Sequence, residues 1–95
     1  MIELGGAPPL FVNVGVASII VVRDNPHRKK LILGNDSDTV MYLAQADRAY
    51  INRGIRLGVG QTLIDEPDTL GQIYTGMWTA ISTAGAKRLT INESR

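Results

Sequence analysis

Apolar residues along the chain gather in short runs set between turn signals, and no run holds helical spacing for a stable helix. Phe11–Val14 reads as a first short strand, and Ala17–Val22 as the next, with β-branched Ile19, Ile20, Val21 and Val22. Asn25-Pro26 breaks the chain, because the residue before proline avoids helical geometry. Lys30–Leu33 reads as a strand closed by the loop Gly34–Asp38, and Thr39–Ala44 as its hairpin partner. Gln45–Asn52 suits a helical turn but lacks the apolar periodicity of a helix. Ile55 and Leu57 lead into a tight turn flanked by Gly58 and Gly60, and Thr62–Asp65 returns as a strand. Glu66–Gly71 is a polar loop, Ile73–Ser82 reads as a strand, and Arg88–Asn92 alternates polar and apolar as a half-buried strand does.

About seven or eight short strands separated by turn signals predict an all-β fold, an antiparallel β-sandwich or jelly-roll-like barrel. A parallel α/β sheet needs crossover helices, which have no place here. The candidate core is Ile19, Val21, Leu31, Leu33, Val40, Tyr42, Ile55, Leu57, Leu63, Trp78, Ala80, Leu89 and Ile91. Ahead of it, residues 1–10 carry Gly5-Gly6 and Pro8-Pro9 and read as an extended arm on a single domain spanning 11–95. The arm's Ile2, Leu4, Pro8, Pro9 and Leu10, with Phe11 beyond it, form a candidate contact strip for a neighbouring subunit or a shell.

Composition narrows the function. With 95 residues the chain buries a modest core, which makes self-association an expectation. The net charge is +1, so no strong field favours nucleic acid or an anionic membrane. There is no cysteine, hence no disulfide framework and no thiolate metal site. The apolar run Val14–Val22 is interrupted and too short to span a bilayer, and no secretory signal pattern opens the chain.

Candidate chemistry is thin. His27–Lys30, "HRKK", is basic enough to touch phosphates but lacks the aromatic platforms of nucleic-acid readers, and reads as the solvated entrance of a strand. Asn35–Asp38, "NDSD", offers oxygen ligands, yet the calcium-loop glycine position falls on Met41 and the closing position on Asp47, so a plain turn is expected. Gly58–Leu63 resembles a dinucleotide loop only until its third glycine position, which is Leu63. Asp65–Asp68, "DEPD", clusters carboxylates in a solvated loop, and His27 is the sole histidine, without a nucleophile elbow. Trp78 reads as core, with a sugar-stacking platform as the sharper alternative. No catalytic residue, cofactor or metal is expected.

Taken in order, "FVNVG" (11–15), "NPHRKKLILGNDSDTVMYLA" (25–44), "GIRLGVGQTL" (54–63), "YTGMWTAIS" (74–82) and "KRLTINE" (87–93) resemble the small all-β structural domains of tailed bacteriophages, of the head-decoration or capsid-fibre type. Met41 in place of Val, and the longer segment "QADRAYINRG" (45–54), depart from that pattern. The resemblance implies a virion structural protein, made in the bacterial host cytoplasm and placed on the capsid exterior. Its implied partners are the major capsid protein and further copies of itself, as a homotrimer; it supplies no catalytic residues. A receptor- or glycan-binding module of a tail or fibre is the alternative function, and Ile20, Ile32 and Met77 are the apolar residues expected at a subunit interface.

Overall fold

In a computed structural model that describes residues 10–94, the chain forms eight strands in two antiparallel sheets. They are β1 (Leu10–Val14), β2 (Ile19–Val22), β3 (Lys30–Asn35), β4 (Met41–Ala44), β5 (Ile55–Leu57), β6 (Thr62–Asp65), β7 (Trp78–Ser82) and β8 (Lys87–Ser94). One sheet has the order β1-β8-β3-β6, the other β2-β7-β4-β5. Strand pairs therefore nest: β1 with β8, β2 with β7, β3 with β6, β4 with β5, each antiparallel. The chain is one long hairpin rolled up, with β8 also pairing β3 and β7 also pairing β4 to close the roll. That order is the jelly roll, a sandwich in which most strands lie beside partners distant in sequence.

Alternation sets the core. On β3, Leu31, Leu33 and Asn35 point inward, and Leu89 and Ile91 do so on β8. Val14, Met41, Leu43, Leu57, Trp78 and Ala80 complete the sealed layer, with Ile19, Ile55, Leu63 and Tyr74 packed against it. Each fully buried aliphatic or aromatic side chain contributes about 1.5–3 kcal/mol before chain entropy is subtracted. On β2 the register slips between Ile20 and Val22, and this bulge buries Val21 and Val22 in succession.

Several expectations change. β4 carries Met41 and Leu43 inward, so Val40 and Tyr42 leave the core; Tyr42 instead donates its hydroxyl to Asn52 Oδ1 at 2.9 Å. Apolar side chains occur at both phases of "VMYLA", and only the pairing partner selects the buried one. β3 and β4 are not a hairpin: they sit in opposite sheets, and so do β5 and β6. Strand β7 begins at Trp78 rather than Ile73, because the carbonyls of Tyr74 and Gly76 accept from a side chain instead of a ladder. Leu10 opens β1, one residue earlier than expected.

The segment 45–54 is neither helix nor strand. It lies across the outer face of β7. Thr79 Oγ1 donates to Ala46 O at 3.1 Å, and Ala49 N–H donates to Ser18 Oγ at 2.8 Å. All five residues of β7 are buried as a result. The segment re-enters the sheet at Gly54, whose φ of 79° belongs to the left-handed region. A Cβ there would stand 2.5 Å from the Leu43 carbonyl oxygen.

Gly54→Ala is therefore expected to lower stability by more than about 1 kcal/mol, since it combines backbone strain with a backbone clash. Urea unfolding checks this; a midpoint equal to that of the unchanged chain contradicts it.

Candidate functional site

The basic turn splits into two kinds of residue. His27 is exposed, and its backbone N–H caps against Asn25 Oδ1 at 3.0 Å. Lys29 is exposed as well. Arg28 is 2% exposed, so the expectation of a uniformly solvated entrance is corrected. Its Nε donates to Glu93 Oε2 at 2.7 Å. Nη1 donates to the carbonyls of Tyr74 (3.1 Å) and Gly76 (3.0 Å), and Nη2 to that of Arg23 (2.7 Å). One guanidinium thus ties the β2–β3 turn, the β6–β7 connection and β8. Four of its five N–H donors are satisfied, which is how so polar a group tolerates burial. A shallow cleft of about 790 Å³ between Pro26–Lys29 and Gly71–Thr75 lies over this anchor.

The "NDSD" loop closes the opposite end as a turn. Asn35 Nδ2 donates to Thr39 O at 2.8 Å and to Leu57 O, in the other sheet, at 2.9 Å. Ser37 Oγ donates to Asn35 Oδ1 at 2.5 Å. Asp38 pairs with Lys87 at 2.7 Å and Asp36 with Arg88 at 3.8 Å, so the carboxylates answer to cations at the start of β8. The hydrogen bond from Lys87 holds the Asp38 carboxyl below its ordinary range. "GVGQTL" is a turn, closed by Gln61 N–H to Gly58 O at 3.0 Å and by Gly58 N–H to Gln61 Oε1 at 2.5 Å. Among the described residues, no group of three or more His, Cys, Asp or Glu is placed to hold a metal ion.

The acidic run divides. Asp65 ends β6 facing inward, opposite Leu31, while Glu66 and Asp68 are exposed. Burial pushes the Asp65 carboxyl above its ordinary value, and the Arg28 charge pulls the other way more weakly. Its Oδ2 is sealed and has no hydrogen-bond partner. Trp78 is core, edge-on to Tyr74 with ring centroids 5.9 Å apart, so it offers no stacking surface.

What remains is surface. β1 is an edge strand, and its Leu10 and Phe11 are 59% and 55% exposed. Arg88 lies over the Phe11 ring, 4.6 Å from its centroid. Ile2, Leu4, Pro8 and Pro9 lie outside the described residues. Of the residues expected at an interface, Ile20 is exposed, while Ile32 and Met77 are half-buried. A second surface was missed in the sequence. In the 45–54 segment, Arg48 and Arg53 both stack on the exposed Tyr50 ring, at 5.6 and 5.5 Å from its centroid. Val16, Ala17, Tyr50, Ile51 and Ile81 border a groove of about 570 Å³ beside it. The spacing R-x-Y-x-x-R was the available signal, since cations three or fewer residues from an aromatic ring can reach its face.

Two substitutions test this description. Arg28→Ala is expected to cost about 3–5 kcal/mol, because it strands three carbonyls and Glu93. Guanidinium unfolding reads the loss, and a cost under 1 kcal/mol would show the guanidinium is dispensable. Asp65→Asn is expected to stabilise the domain at pH 7 by under about 1 kcal/mol, screened by solvent. The folded carboxyl binds its proton above the unfolded pKa, so Asp65 weakens the fold as pH rises through that window. The benefit of Asn should fade as pH falls towards 4; a melting-temperature difference that grows on acidification contradicts it.

No protein-family model matches this chain, and neither curated proteins nor solved structures give a match.

Proposed function

We propose that this chain is a virion structural protein of a tailed bacteriophage, a decoration or head-fibre subunit that binds the outer capsid lattice and stabilises it. One observation carries the reading: among the described residues β1 has a strand on one side only, and the large apolar side chains of Leu10 and Phe11 stand exposed on it, directly after the arm sequence. An open edge can accept another chain's backbone as an added strand, and exposed apolar side chains there gain from being covered. The partners in this reading are the major capsid protein and other copies of the chain. Two buried polar side chains support a non-enzymatic role, because both are spent on architecture: the Arg28 guanidinium ties three connections, and the neutral amide of Asn35 holds a turn. A glycan-binding module is disfavoured by its aromatics, with Trp78 in the core and the Tyr50 ring contacted by two guanidinium groups.

The test is sedimentation of the purified chain with emptied heads of its source phage. The full chain should pellet with the heads to a saturating copy number. A chain lacking residues 1–9 should keep a β-rich circular dichroism spectrum and remain in the supernatant. Failure of the full chain to pellet at any concentration would reject the decoration role, and unchanged pelleting of the shortened chain would reject the arm as the contact.

A further inference from the structure

Two exposed features of opposite charge lie on different parts of this molecule. The first is the tip of the β6–β7 connection. Asp68 Oδ1 accepts from Leu70 N–H at 2.8 Å and Gln72 N–H at 3.0 Å. Backbone bonds from Asp68 N–H to Gln72 O (2.9 Å) and from Gly71 N–H to Asp68 O (3.0 Å) lock the same turn, with Gly71 at φ 77°. The turn holds Leu70 outward at 79% exposure, the highest among the exposed large apolar residues, beside the exposed carboxylates of Glu66 and Asp68. Among the described residues, neither carboxylate has a cation within ion-pair distance.

The second feature is the groove between the β1–β2 turn and the 45–54 segment. Val16, Ala17, Ile51 and Ile81 give it apolar surface, and Ser18, Asp47 and Arg48 line the rest as polar surface. Arg48 and Arg53 flank it, fixed on the Tyr50 ring and without a carboxylate partner among the described residues. Asp47 also borders the groove and offsets one of these charges. Tyrosine and arginine held in place, next to apolar surface, are the residue types that carry binding energy at protein interfaces. Little ordering remains to be done on either side.

We propose that the Leu70 turn of one copy docks in the Val16–Tyr50–Ile51 groove of the next, with Glu66 and Asp68 meeting Arg48 and Arg53. The turn sits at the Arg28 end of the sandwich, beside the cleft over Pro26–Lys29, whereas the groove borders the β1–β2 turn, which the strand register puts at the opposite end. In the proposed arrangement each copy gives its turn to one neighbour and receives a turn from another. Such a head-to-tail contact is heterologous, and it closes into a ring when the rotation between copies permits. This rests on the self-association part of the function proposed above and names the surfaces that make it.

The experiment uses the full chain in low salt without capsids, with sedimentation velocity as the readout. The unchanged chain is expected well above the one-chain mass of 10.3 kDa. Leu70→Asp, which removes the turn's apolar tip, and Val16→Asp, which spoils the groove, are each expected at the one-chain mass. Both sites are exposed, so unaltered circular dichroism is expected of both variants. An equimolar mixture of the two is the sharpest arm: one intact turn and one intact groove remain, so two-chain species form and growth stops there. Single-chain behaviour of the unchanged protein, association of either variant equal to it, or a mixture that stays single-chain each overturns the proposal. Capsid pelleting is scored separately. A chain that self-associates through these surfaces yet ignores capsids keeps this contact and loses the decoration role; a single-chain protein that pellets does the reverse.

Discussion

The fold hangs on one buried guanidinium. Strand ladders hold each sheet, and apolar packing holds the sheets together, but neither reaches the connections that leave the sandwich at one end. There the chain passes through Arg23–Lys29 and through the residues before Trp78, where carbonyls have no strand partner. Buried carbonyls without donors are costly. Arg28 answers them with a rigid fork of donors, and Glu93 on β8 balances its charge at 2.7 Å. A lysine has neither the planarity nor the number of donors to hold Arg23, Tyr74, Gly76 and Glu93 together. At the other end a neutral amide does the corresponding work, as Asn35 reaches from β3 to the Leu57 carbonyl of the facing sheet. The two ends differ in how they are sealed, by charge and by amide, and the layer between also holds the β7 hydroxyls of Thr79 and Ser82 and the unpartnered Trp78 Nε1 and Asp65 Oδ2.

Much of the strand plan is visible in the residues. The alternation in "KRLTINE" fixes both the strand and its buried phase, because one face is consistently apolar. The plan fails where both phases are apolar. In "VMYLA" either Val40 and Tyr42 or Met41 and Leu43 could go inward, and β5 and β7 decide for the latter. Pairing partners are less legible still. Short turns after β3 and β5 look like hairpin turns, yet each carries the chain across to the opposite sheet. Local sequence encodes a change of direction, while sheet membership depends on strands tens of residues away.

Functional residues follow the same division. Arg28 is indistinguishable from its basic neighbours in a linear reading, since three of its four partners, Tyr74, Gly76 and Glu93, lie far along the chain. The Tyr50 surface is local, with its arginines close by in sequence, but it gains meaning only because the 45–54 segment lies down on β7 rather than projecting. That covering also explains why "WTAIS" mixes small polar and apolar residues without alternation: both of its faces are interior, and Thr79 spends its hydroxyl on the Ala46 carbonyl.

The nested pairing has a consequence for how the molecule is made. β8 is the last of the described strands in the order of synthesis, yet it occupies an inner place in its sheet, between β1 and β3. Until Lys87–Ser94 has left the ribosome, β1 lacks its partner among the described strands and β3 lacks one neighbour. The β2-β7-β4-β5 sheet waits similarly for β7. Folding is then a late event that must bring together residues at the two ends of the described chain, with the slow rates typical of long-range strand pairing. During that wait, unpaired apolar strands such as "SIIVV" and "KLILG" are open to other nascent chains. Yield in a cell should therefore depend on chaperones and on temperature during synthesis more than on the stability of the finished sandwich.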